Sequence, residues 1–463
     1  MRILRKPPIL LLLALLSFSC SLFRSRVKPY PAGAVFPLTE TAKVTFEGDI
    51  NGTLVKGEDG RLYFSTDRGH LYCLEGAPPK IAWHVDNPAP FGCPPELAPG
   101  RVFVWDIDNV VSCIDRTGQP VWKAKIADRI TSPLSHGGER LLLGTEAGDL
   151  LALSQATGEV QWRFRTRAPV SAAAVFWKDS IILGSGDGSF YRISPKGVER
   201  GAVDLGSPVS VTPLVDGDYL YIGTEDFGFA CYDLRKGTRR WKVMAAGRVL
   251  APPRADEKRV YLQASNSVLY ALDKSGGEIL WWWMAPARRP HGLAFDGENV
   301  LVTSRSPILF SLDRKTGKPV GKYEAGTEIR SNPVWVEPNV LFAAFDPEAD
   351  QGVISQLERE VKVELSSSPA SPQPPGAEVT FTAAASGFYQ PRFEFTLRQG
   401  EERTVVQQAS EKKSWVWFPE KEGAYSVHVK VQDEKQSREA EIPFEVAVQK
   451  KKDEEKNSEK GDQ

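Results

Sequence analysis

A chain of 463 residues, 41% hydrophobic and 25% charged, is a folded globular protein with room for a large repeat domain and a small second one. Its formal net charge of −1 gives no overall pull toward nucleic acid, which argues against a nucleic-acid-binding role. Its 34 Pro and 3 Met, beside 12 Trp, 12 Tyr and 22 Phe, suit short strands with frequent turns better than long helices.

The first element is a targeting segment. Arg2, Arg5 and Lys6 precede an apolar run over residues 9–16. That run is too short to span a bilayer, which takes about 20 residues, and it fits the core of a signal peptide. Cys20 follows at once, with the small Ser19 before it. This arrangement looks like a bacterial lipoprotein cleavage site. It makes Cys20 the expected lipidation point and its acyl chains the expected membrane anchor. An ordinary signal peptide cut nearby would instead leave a soluble secreted protein. Residues 21–38 read as a tether.

A repeat then takes over. The segments NVVSCIDRTGQPVW, GDLLALSQATGEVQW, GFACYDLRKGTRRW and SVLYALDKSGGEILW end at Trp122, Trp162, Trp241 and Trp281, and Trp83 closes a looser copy. The intervals from Trp83 onward are 39, 40, 79 and 40 residues, so the period is 40 with one copy lacking its Trp. Gly201 occupies that phase, Gly321 continues the series, and one step back from Trp83 falls on Lys43. Eight phases result.

Within each unit, segments near Ile50, Pro90, Ile130, Val170, Val209, Val249, Arg289 and Ile329 read as the opening strand. Several carry Ser/Thr-Pro, as in ITSPLS and VSVTPLV. A second strand such as RLLLGT or YLYIGT follows, then a third, then the Trp strand. Four short strands per period is propeller spacing. A lone four-stranded sheet leaves both faces wet, whereas a closed ring buries each against a neighbour. The last unit, from Thr327 to Leu357, has no fourth strand, and the strand at residues 39–46 has no preceding three. The N-terminal strand is therefore expected to complete the last unit. Residues 39–358 read as an eight-bladed, all-β, quinoprotein-like propeller.

Cys73, Cys113 and Cys231 share one place in the third strand, where other copies carry Leu153, Ala271 or Ser311. A position that accepts these residues serves packing. With Cys93, they form no CxxC or metal-ligand spacing.

These repeats resemble the pyrroloquinoline-quinone-like propeller repeats over residues 40–357. The resemblance implies that Trp83, Trp122, Trp162, Trp241 and Trp281 each pack between neighbouring blades. It also implies that the blades after Gly201 and Gly321 are held more loosely. An exported, lipidated propeller of eight units is similar to the BamB family of outer-membrane assembly lipoproteins. That resemblance implies protein partners in the cell envelope, no catalysis and no cofactor.

Composition changes at residues 359–376, a Pro/Ser-rich lead-in with a strand from about 361. Six period-two segments follow over residues 377–448, from EVTFTAAA to AEIPFEVAV. They read as a small β-sandwich that resembles bacterial Ig-like and PKD-like modules. Residues 449–463 are charged and polar, and are expected to be disordered.

The chain has no GxSxG, HExxH, Walker A or βαβ GxGxxG motif, and its five His are scattered. No catalytic residue, metal ligand or cofactor is therefore assigned. A quinone-dependent dehydrogenase of the same repeat type would carry adjacent cysteines and an acidic Ca²⁺ set, which this chain lacks. Trp282 and Trp283, next to Trp281, place rings on both faces of one strand and mark a possible contact surface. His291 joins them as a possible contact, near Arg288, Arg289 and Arg330 by phase. The two roles left standing are an outer-membrane assembly scaffold and a surface ligand- or glycan-binding protein.

Overall fold

A computed structural model describes residues 38–286, 290–297, 299–359, 361–388, 391–433 and 437–448, with the backbone alone described at 290, 291 and 359. The expected signal peptide, Cys20, most of the tether and the charged tail lie outside these residues.

Among the described residues, eight sheets follow one another along the first part of the chain. Seven have four antiparallel strands in simple chain order, spanning residues 55–86, 96–125, 135–165, 175–204, 214–244, 254–284 and 290–324. The eighth takes Glu328–Ile329, Val334–Val336, Asn339–Asp346 and Gln351–Arg359, and its outermost strand is Leu38–Glu47. That N-terminal strand pairs with Gln351–Arg359 from Leu38↔Arg359 to Glu47↔Gln351.

The burial of each strand follows from its place in the sheet. Second and third strands such as Arg140–Gly144 and Asp149–Ser154 are buried on both faces, so they read as unbroken apolar runs. Outer strands such as Val160–Arg165 alternate half-buried and exposed positions, because a sheet edge has solvent on one side. Buried clusters bridge successive sheets: Phe103 and Cys113 meet Leu141 and Leu151, and Tyr221 and Phe229 meet Val260 and Leu272. The cluster of Val334, Leu341 and Ile354 with Leu54, Phe64 and Tyr72 joins the eighth sheet to the first and closes the ring. Across the same seam the Leu54 N–H donates to Asn332 Oδ1 at 3.0 Å. Each large apolar side chain buried this way contributes roughly 1.5–3 kcal/mol.

Pro290–Phe295 and Glu328–Ile329 open their sheets near the expected Arg289 and Ile329, but in the first six sheets the regular inner strand starts a few residues later than the sequence suggests. Ser135–Gly137, Leu214–Asp216, Arg254–Ala255 and Val334–Val336 begin after Pro133, Pro213, Pro253 and Pro333. Proline has no N–H for a ladder, so the Ser/Thr-Pro segments are irregular. Their hydroxyls serve the backbone instead: Ser132 Oγ accepts the Gly144 N–H at 2.7 Å, and Ser331 Oγ accepts that of Ala343 at 2.8 Å. The inner strands of the first and fifth to eighth sheets line a cavity of about 830 Å³.

Seven strands form a second, two-sheet body. Lys362–Ser368, Val379–Ser386 and Ser414–Trp417 make one sheet, and Arg392–Gln399, Glu402–Ser410, Gly423–Gln432 and Ser437–Val446 the other. Phe381, Phe395, Val427, Val429 and Phe444 fill the space between them.

Candidate protein-contact surface

The five repeat tryptophans make one contact five times. Each indole Nε1–H donates to a backbone carbonyl 33 residues on, in the third-to-fourth-strand turn of the next sheet. Trp83 reaches Arg116 O at 3.0 Å, Trp122 reaches Gln155 O at 2.9 Å and Trp162 reaches Pro195 O at 3.0 Å. Trp241 and Trp281 reach Lys274 O and Arg314 O, both at 3.1 Å. A glycine in the same turn lies under each ring, and a Cβ built on Gly118, Gly158, Gly197, Gly277 or Gly317 would come within 2.5–2.9 Å of the indole. Those glycines also adopt φ of +68° to +87°, where a side chain is disfavoured. In several turns an Asp holds the loop. Asp115 accepts the Thr117 and Gln119 N–H groups and the Thr117 hydroxyl, which keeps its carboxyl below the usual range.

The sheets that lack the Trp are joined differently. Arg192 stands opposite Gly201, where other sheets set Cys or Ala opposite Trp. Trp177, from the inner hairpin of the fourth sheet, is 5% exposed, and its Nε1–H donates to Asp218 Oδ1 of the fifth at 3.2 Å. The Arg192 guanidinium lies 4.7 Å from that ring's centroid and Lys178 pairs with Asp218 at 2.7 Å. The fourth junction is thus pinned at another place. At the seventh, Tyr323 meets Phe342 of the eighth sheet with centroids 6.1 Å apart.

Trp281, Trp282 and Trp283 divide between the faces of Ile279–Met284. Trp281 makes the repeat contact. Trp283, expected at a contact surface with Trp282, is 8% exposed and packs on Phe310 of the next sheet at 5.0 Å between centroids. The reason is positional: the residue two beyond the Trp phase always faces the next sheet. Val85, Ala124, Phe164, Val203, Val243 and Tyr323 hold that place elsewhere, and each sits against a core cluster. That apolar series was the sequence signal that Trp283 is core.

Trp282 faces the other way and is 49% exposed. The outer strands of the other sheets carry His84, Lys123, Arg163, Ala202, Lys242 and Lys322 at its position. Two residues on, Met284 is 56% exposed; Met244 of the fifth sheet, 58% exposed, holds the same place, and the other sheets carry Asp86, Lys125, Arg165, Asp204 and Glu324 there. Leu280 and Ile279 extend the exposed apolar strip at the bulge before Trp281. Exposed apolar residues also occur on other outer strands, at Ile81, Val121, Val160 and Met244, but Trp282 sets a large exposed ring where five other sheets carry His, Lys or Arg.

The side chain of His291 lies outside the described residues, as do Arg288 and Arg289. Arg330 stands at the seam of the ring, 3.5 Å from Asp49 and 3.6 Å from Glu328. Cys73, Cys93, Cys113 and Cys231 are buried free thiols, and burial pushes those of Cys73 and Cys231 up to about 11 and that of Cys93 to about 12. Among the described residues no three His, Cys, Asp or Glu are grouped to hold a metal ion.

Stacked four-stranded sheets, indoles docked on the following turn and a ring closed by the first strand define a β-propeller of the PQQ-like repeat type. A family profile described as outer membrane protein assembly factor BamB matches residues 38–116, 107–200 and 193–390, and the chain belongs to that family. The outer membrane protein assembly factor BamB of Burkholderia pseudomallei is 26% identical over 239 residues, 47% of this chain and 62% of the relative. The chain therefore spans less than two thirds of that relative's length. The solved BamB of Moraxella catarrhalis superposes with a TM-score of 0.59 at 15% identity, over 70% of this chain and 98% of that one. The quinohemoprotein alcohol dehydrogenase of Comamonas testosteroni superposes with a TM-score of 0.58 at 13% identity, over 72% of this chain and 78% of that one. At these identities the structural likenesses speak to fold alone.

Proposed function

We propose that the chain is a non-catalytic, eight-bladed envelope scaffold that holds a protein partner on the outer strand of its sixth blade. The observation that carries this reading is Trp282, an exposed indole at a position where other outer strands carry mostly His, Lys or Arg. Aromatic anchors of this kind dominate binding energy at protein interfaces. The family to which the chain belongs favours the outer-membrane assembly machinery as the partner. Lipidation at Cys20 would tether the propeller to the outer membrane on its periplasmic side. The two-sheet body, read as an Ig-like module, would add a second surface.

The test is affinity capture of the mature protein from envelope extracts, comparing wild type with Trp282→Lys. Lysine is the residue that the fifth and seventh sheets carry there, so folding should be unchanged within about 0.5 kcal/mol. Barrel-assembly components should co-purify with wild type and be lost from the variant. Equal recovery with both would refute the surface, and recovery of none with wild type would refute the partner. The competing dehydrogenase reading predicts dye-linked alcohol oxidation after incubation with quinone and Ca²⁺. The scaffold reading predicts none.

A further inference from the structure

The cavity inside the ring holds a cation that the fold leaves without a counterion. Arg254 begins the inner strand Arg254–Ala255 and lines the cavity of about 830 Å³. Its side chain is open to the cavity water. No carboxylate or carbonyl partner meets it among the described residues. The protein walls around it reduce its hydration and lower its pKa.

The other charged groups on the lining differ. Asp216 holds Lys274, whose Nζ also donates to Asp256 O at 2.7 Å. Asp256 accepts the Tyr261 hydroxyl at 2.7 Å and lies 3.4 Å from Arg259 and 3.6 Å from Arg314. Glu257 also stands on the lining. Lys56 is a second cation with no acid paired to it among the described residues; its Nζ donates to the carbonyl of Trp335 at 3.4 Å.

A guanidinium that faces the cavity water with no acid beside it keeps all its N–H donors free for an anion from outside. We propose that this cavity binds a small oxyanion, a carboxylate or phosphate group, on the guanidinium of Arg254, with Lys56 as an auxiliary charge. The planar fork of Arg254 matches the two oxygens of such a group, and the cavity volume is that of a small-molecule site.

Isothermal titration of the full-length protein at low ionic strength, with inorganic phosphate and separately with citrate, tests this site. At least one probe should bind wild type. Arg254→Gln should weaken that binding by about tenfold or more, the value of a charge-assisted pair. Arg254→Lys, which keeps the charge but loses the fork, should fall between. A ligand-dependent rise in melting temperature should follow the same order. Binding of phosphate alone or of citrate alone supports the site and identifies the group it takes. The proposal fails if neither probe binds wild type below about 10 mM, a limit of weak association. It also fails if Arg254→Gln, verified as folded by circular dichroism, binds as wild type does. Neither result bears on the surface at Trp282.

Discussion

Replacing Gly317 with Ala tests the joint between sheets at its tightest point. The new methyl would stand 2.5 Å from Cε3 of Trp281, where no ordinary contact is possible. Gly317 also has φ +68°, and an L-residue held there costs roughly 1–2 kcal/mol. Forcing the indole away adds about 1–3 kcal/mol of overpacking. If the ring moves, its 3.1 Å hydrogen bond to Arg314 O goes too, for about 1 kcal/mol more. The sum is about 2–6 kcal/mol. The molecule contains its own control. Gly237 holds the same turn position at φ +66°, but the preceding sheet has Gly201 at the Trp phase, and nothing lies within 4 Å of a Cβ built there. Gly237→Ala should therefore show the backbone cost alone, about 1–2 kcal/mol. Urea unfolding followed by tryptophan fluorescence and near-UV circular dichroism measures both variants. Adding Trp281→Ala to Gly317→Ala should cost less than the two single changes summed, because the truncated ring no longer clashes. Equal destabilisation by Gly237→Ala and Gly317→Ala would refute the docking account.

Asp49 sits at the seam, 25% exposed, and burial followed by the nearby Asp67 raises its carboxyl from 3.8 to about 6. Its folded value exceeds its unfolded one, so ionising it costs stability as pH rises from about 4 to about 6, and the cost persists above that. The 3.5 Å approach of Arg330 leaves Oδ1 of Asp49 and Nε of Arg330 without hydrogen bonds and does not offset the cost. Asp49→Asn should therefore stabilise the protein by about 1–2 kcal/mol near pH 7.5 and leave it unchanged near pH 4, read from denaturation midpoints. A variant less stable near neutrality would reverse that reasoning. The four buried thiols should resist alkylation in the native protein near pH 8 and react only with denaturant present, as mass spectrometry of labelled peptides would show. Labelling of native Cys93 would contradict its burial.

The ring was legible in the sequence because its joints are made by one conspicuous residue type. Trp83 to Trp281 recur at the period because each indole must reach the same turn of the next sheet. The strand at residues 39–46 was legible because the last unit lacks a partner for Gln351–Arg359. The opening strands of the first six sheets were placed a few residues early, since apolar character marks the segments before the inner prolines as strongly as the strands that follow, while those near Arg289 and Ile329 stand where expected. Trp283 was misread because its exposed neighbour has the same side chain, and only the series from Val85 to Tyr323 separates the two faces. The role of Trp177 at the fourth junction was invisible, as it stands on a different strand from the Trp it replaces. Arg254 was missed for a related reason. Whether an arginine is paired depends on which acids the ring brings beside it, and Asp256, two residues away, is taken by Tyr261, Arg259 and Arg314.

Closing the eighth sheet with the first strand also orders events in time. Thr41 and Gln356 meet across 315 positions of chain, so this contact can form only once residue 356 has joined the chain. Long-range pairing of this sort slows folding, although the entropy of closing so long a loop grows only as the logarithm of its length. Until its partner emerges, Leu38–Glu47 is an unpaired edge exposed to every other nascent chain. Glu40, Lys43 and Glu47 spread charge along it, the usual protection against strand-to-strand aggregation. A chain translocated amino end first would carry this guarded strand as its earliest folded-state component and its last to be satisfied.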